Sequence, residues 1–132
     1  MTTFIDTSAF LAIFAIDDKF HALAKPIWER LIIDEEQLVT NNYVLLETLT
    51  LLQRRLGVNA ARSFQFNVLP SLQIRLVDHN LHDRAMAALL ATNQRYLSLV
   101  DCCAFEMMRE DGIVRAFAFD DHYKDQGFET IS

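Results

Sequence analysis

Four acidic residues stand in apolar company, where a carboxylate is costly to keep. They are Asp6 after Phe4-Ile5, Glu47 inside Val44-Leu45-Leu46-Glu47-Thr48-Leu49, Asp101 after Leu97-Ser98-Leu99-Val100, and Asp120 after Ala116-Phe117-Ala118-Phe119. A lone ionised carboxylate withdrawn from water must be paired, hydrogen-bonded or bound to a metal. Each of three has an ordinary use. Asp6 can cap a helix starting at Thr7, Asp120 can cap the turn after it, and Ser98-Leu99-Val100-Asp101 is a capping-box pattern. Glu47 resists that account, because it lies mid-helix with no Lys or Arg within one turn. Brought together, the four would repel and raise one another's pKa values. Hard divalent cations such as Mg2+ or Mn2+ resolve that repulsion, since they take oxygen ligands. Such an ion also activates water and neutralises charge on a phosphodiester.

The elements that must position these acids follow from the apolar pattern. Short strands are expected over residues 2–5, 37–40, 73–77 and 114–119, with a final apolar stub at 128–131. Helices are expected over 7–16, 19–33 with a kink or break at Pro26, 43–56, 59–69, about 80–91, and 99–110. Asn42 is the expected N-cap of the 43–56 helix and Gly57 its terminator. Strands alternating with helices read as an α/β fold, a central mostly parallel sheet covered by helices on both faces in one domain over residues 1–132. In such folds ligands bind outside the carboxyl ends of the strands. Asp6 and Asp120 both follow strands directly.

Composition narrows the chemistry further. The chain has 132 residues and a formal charge of −6, so it does not grip nucleic acid by bulk positive charge. Three glycines, Gly57, Gly112 and Gly127, cannot form a Gly-rich phosphate loop. Cys102 and Cys103 are adjacent in an apolar helical segment and read as buried, reduced thiols. The apolar run 9–16 is too short to span a bilayer, and a cytoplasmic location is expected. His79-x-x-His82 lacks a third ligand at a suitable spacing and reads as a surface pair. Arg54-Arg55 with Arg62 could guide an RNA backbone, but cations at a helix C-terminus explain them equally. His122, beside Asp120, reads as a turn histidine that could also touch RNA.

The segments Phe4-Ile5-Asp6-Thr7-Ser8-Ala9-Phe10, Asn42-Tyr43-Val44-Leu45-Leu46-Glu47, Leu97-Ser98-Leu99-Val100-Asp101 and Ala118-Phe119-Asp120-Asp121-His122-Tyr123, with Gly127-Phe128 beyond, resemble the four motifs of PIN-domain ribonucleases. They are most similar to those of the VapC-type toxins of bacterial toxin–antitoxin modules. The resemblance implies a three-layer α/β/α fold and endoribonuclease activity dependent on Mg2+ or Mn2+. It also implies a homodimer and inhibition by a small cognate antitoxin. By position, Asp6, Glu47, Asp101 and Asp120 would be the metal-site acids, Ser8 a supporting hydroxyl, and Asp121 an extra acid that could share the role of Asp120. Ala104 departs from the pattern, where relatives often carry Ser.

Three rivals remain on sequence grounds. A catalytically inactive PIN-like module would bind a partner through the same surface. An aspartyl-nucleophile phosphatase expects a second Asp two residues after Asp6, where Ser8 stands. A receiver domain expects an acidic pair at the first strand, which is missing.

Overall fold

The computed structural model describes residues 1–132. Five strands form one parallel sheet: β1 (Thr2–Ile5), β2 (Gln37–Asn41), β3 (Gln73–Arg75), β4 (Arg115–Phe117) and β5 (Glu129–Ile131). Their order across the sheet is β3-β2-β1-β4-β5. The chain first steps outward from β1 to β2 and β3, then returns past them to β4 and β5. Right-handed crossovers therefore place the connections before β3 on one face and those after it on the other. The first group holds α1 (Thr7–Phe14), α2 (His21–Ile33), α3 (Asn42–Leu56) and α4 (Val58–Ser63); the second holds α5 (His79–Thr92), α6 (Leu99–Asp111) and the short α7 (His122–Asp125). Where the direction reverses, β1 and β4 lie side by side, with Phe4 opposite Ala116 and Ile5 opposite Phe117. That is the switch point at which open α/β sheets leave a crevice at the strand carboxyl ends.

The core follows the pattern expected of strands buried on both faces. Phe4, Ile5, Ala116 and Phe117 are fully buried in the two central strands, packed among Phe10, Leu52, Met107 and Met108 from the helices. At the amino ends of the strands, Arg115 donates to Glu36 at 2.8 Å and to the Thr3 hydroxyl at 3.1 Å, tying β4 to β1 and to the start of β2. No helix is long and apolar enough to cross a membrane. Cys102 and Cys103 are buried and free, and burial pushes the Cys103 thiol up to about 11, as expected of inert core residues.

Several boundaries differ from the sequence expectation, each for a local reason. Asn41, not Asn42, caps α3 by accepting the Val44 N–H at 2.9 Å, while Asn42 accepts the Val77 N–H at 2.6 Å. That bond removes Val77 from the ladder, so β3 stops at Arg75. In the same way the Phe119 N–H goes to the Ser8 hydroxyl at 2.9 Å, and β4 stops at Phe117. Pro26 neither breaks nor ends α2. It lies on the exposed side, where the carbonyl of Ala22 that it leaves unbonded can meet water. The expected helix over 59–69 divides into α4, a π-helical turn (Phe64–Val68) and a 3-10 turn (Leu69–Ser71) ahead of the next strand. Gly57 ends α3 as expected, at φ 92°, a backbone region that other residues rarely adopt.

Candidate metal centre

Asp6 is placed by the β1–α1 junction. Its backbone N–H continues the sheet to the Phe117 carbonyl at 3.1 Å, and its side chain caps α1 by accepting from the Ser8 N–H at 3.1 Å. The Ser8 hydroxyl donates to the same carboxylate oxygen at 2.6 Å. The other oxygen accepts the Tyr123 hydroxyl at 2.9 Å. Asp6 is thus a cap and a buried acid at once, only 4% exposed. Burial, with a contribution from Asp120, raises its pKa against the opposing hydrogen bonds. Tyr123 is fully buried, its ring packed edge-on to Phe105 at 4.9 Å, and its phenol is held well above its ordinary pKa by burial and by Asp6. It is therefore a permanent donor to Asp6.

Asp101 is placed by the capping box that the sequence predicts. Ser98 Oγ accepts the Asp101 N–H at 3.0 Å, and the Asp101 carboxylate accepts the Ser98 N–H at 3.2 Å. The box fixes the carboxylate in the first turn of α6, and burial among Cys102, Cys103 and Ala104 leaves the residue 8% exposed. Its pKa is pushed up to about 6, first by burial and then by the charge of Asp6, with a smaller push from Asp120. Asp120 follows β4 and caps the last turn by accepting the His122 N–H at 2.9 Å. Its side chain is 30% exposed, so it forms the open side of the cluster.

Three of the four sequence-predicted acids therefore meet at the switch point: the charge of Asp120 raises the pKa of Asp6, and the charges of Asp6 and Asp120 raise that of Asp101. Ligand atoms of Asp101, Asp120 and His122 lie within 4.8 Å of one another. Glu47 is half-buried on α3, where Val44, Thr48 and Leu52 are buried, Tyr43, Leu45, Leu49 and Leu51 pack partly buried against the core, and Leu46 is 69% exposed. The Thr48 hydroxyl lies 3.4 Å from that of Thr7, which sets α3 against the start of α1 next to Asp6. Ser8 supports the site directly, whereas Asp121 is exposed and caps nothing with its side chain.

Sequence reasoning gave Tyr123 no role at the site and read His122 only as a turn histidine that could touch RNA. Tyr123 carries the signal that a large, fully buried phenol must find a hydrogen-bond partner, but the partner lies 117 residues away. His122 read as a turn residue. Its Nδ1 lies 3.0 Å from Asp120 and 3.6 Å from Asp101.

The comparisons with known proteins agree with this geometry. Residues 3–129 match the PIN domain family. The chain is 34% identical over 129 residues to the 23S rRNA-specific endonuclease VapC20 from two strains of Mycobacterium tuberculosis, covering 97% of this chain and 96% of that protein. The crystal structure of Mycobacterium tuberculosis VapC20, described as a sarcin–ricin loop cleaving toxin, matches with a TM-score of 0.83 at 33% identity, covering 97% of this chain and 96% of that one. On a match that spans almost the whole chain and on the parallel sheet it shares with VapC20, this protein belongs to the PIN-domain family and is similar to its VapC-type toxins.

Proposed function

We propose that this chain is a divalent-metal-dependent endoribonuclease, the toxin of a toxin–antitoxin pair, working as a single PIN unit in the cytoplasm. The observation that carries the reading is the meeting of Asp6, Asp101 and Asp120 where β1 and β4 end side by side. The donor set suits a hard ion. Asp101 and Asp120 each have one carboxylate oxygen that takes no protein hydrogen bond, and the buried Nδ1 of His122 has no aligned partner. Mg2+ or Mn2+ held by these acids would supply an activated water and neutralise phosphate charge.

The chain's own residues supply position and order. Ser8 and Tyr123 hold both oxygens of Asp6, so that carboxylate cannot swing. The capping box holds Asp101 in the same way. Asp120, on the open side, is where an RNA phosphate would approach. Glu47 joins the proposed acids from α3 on the strength of its motif.

The substrate class follows that of the relative: a structured ribosomal RNA, with the sarcin–ricin loop of 23S rRNA as the first substrate to assay. The test is cleavage of that RNA with Mg2+ or Mn2+, in chelator, and by Asp6→Asn and Glu47→Gln. Metal-dependent cleavage lost in Asp6→Asn supports the proposal. Cleavage that persists in chelator refutes it, and RNA binding without cleavage favours the inactive-module reading.

The proposed partners are a small antitoxin that blocks the site and a second copy of the chain. Leu46 and Leu56 stand 69% and 44% exposed on α3, apolar side chains that a second protomer would cover. Sedimentation at micromolar concentration is expected to give a dimer, and a monomer there would refute it.

A further inference from the structure

We propose that His122 Nδ1 is a ligand of the metal held by Asp101 and Asp120, making this a mixed nitrogen–oxygen site rather than an all-carboxylate one. The inference rests on the reading of the site as a metal centre and concerns which atoms complete it. Asp120 is held to its place by the His122 N–H, which closes the turn and brings the imidazole back over the two acids. Nδ1 then lies 3.0 Å from Asp120 Oδ1 and 3.6 Å from Asp101 Oδ2. Neighbouring ligands on an octahedral ion with bonds of about 2.1 Å are separated by about 3.0 Å, and opposite ones by about 4.2 Å. The two spacings lie within that range.

Direction matters as much as distance. A protonated Nδ1 would aim its N–H at one of the carboxylates, as an ion pair does. Here Nδ1 is buried and makes no aligned hydrogen bond with either, although Asp120 is near enough. Unpartnered, it lies with ligand atoms of both acids in a group no more than 4.8 Å across. Nothing else competes for the imidazole, whose side chain is otherwise 27% exposed at the mouth of the site. An imidazole donor favours transition ions such as Mn2+ over Mg2+, which prefers oxygen and keeps its waters.

The test uses metal binding, read without any turnover. Mn2+ bound to the wild-type protein carrying isotopically labelled histidine is expected to show a directly coordinated nitrogen in pulsed electron paramagnetic resonance. His122→Ala should abolish that signal and weaken Mn2+ binding by at least about tenfold in calorimetry, the lower end of the loss seen when even an outer partner of a metal ligand is removed. Mg2+ binding should fall by a smaller factor. The wild-type spectrum does not depend on the variant folding, so it decides the matter alone. Bound Mn2+ with no coordinated nitrogen, or tighter Mn2+ binding in His122→Ala, would overturn the assignment while leaving the metal centre standing. No Mn2+ binding by the wild type would overturn both.

Discussion

Asp101→Asn is expected to lower RNA cleavage by about a thousandfold while leaving the protein folded. Charge stabilisation by a bound metal is worth several kcal/mol, and about 4 kcal/mol corresponds to about three powers of ten in rate. An amide retains the shape of the carboxylate, and its oxygen can still accept the Ser98 N–H that closes the capping box. The start of α6 therefore stays in place, and the loss is one of charge rather than of structure. Single-turnover cleavage alongside circular dichroism separates the two. Unchanged cleavage by a folded Asp101→Asn protein would remove Asp101 from the chemistry.

The second large effect is on stability, and it has the opposite sign. In metal-free protein, Asp101→Asn is expected to be more stable than wild type at pH 7 by up to about 3 kcal/mol, with the advantage vanishing toward pH 4. Asp101 has its pKa pushed from 3.8 to about 6 on folding. The folded state thus holds this proton more tightly than the unfolded chain, so ionisation opposes folding. The penalty is absent below the unfolded value, grows as pH rises between the two values, and is complete above about 6. Asn carries no such penalty at any pH. Urea unfolding of both proteins in chelator at several pH values between 4 and 7 measures the gap, and a gap independent of pH would contradict the assigned cause. Mg2+ or Mn2+ should close it: an ion at about one hundred times its Kd adds about 2.7 kcal/mol to the wild type. Conversely, wild-type protein stripped of metal is the less stable of the two, a trade of stability for a charged site.

What could be read from the sequence was what local rules govern. Apolar strand and helix periods placed four of the five strands within a few residues and marked the fifth only as an apolar stub, and Ser98-Leu99-Val100-Asp101 announced its capping box through spacing alone. Asp6 and Asp120 were legible as strand-end acids for the same reason. Features created by contact between distant segments were not. The shortening of β3 and β4 depends on Asn42 and Ser8 intercepting backbone N–H groups from segments 35 and 111 residues away. The choice of Asn41 over Asn42 as helix cap follows from the first of these, because Asn42 is already engaged with Val77. Around Glu47, Leu45 packs partly buried against the core as its apolar character suggests, whereas Leu46 is 69% exposed, because apolar character alone does not say which side of a helix is covered.

The bonds that fix Asp6 span almost the whole chain: Tyr123 lies 117 residues beyond it, and Phe119, held by Ser8, lies 111 residues beyond that serine. A chain in which β1, β2 and their helices have formed does not yet hold the assembled acids, because β4, Asp120 and Tyr123 lie far along the chain from Asp6. Contacts so far apart along the chain are also among the slowest to close. The site is thus completed only when the later strands dock beside the first, and until then the acids that form it are not assembled.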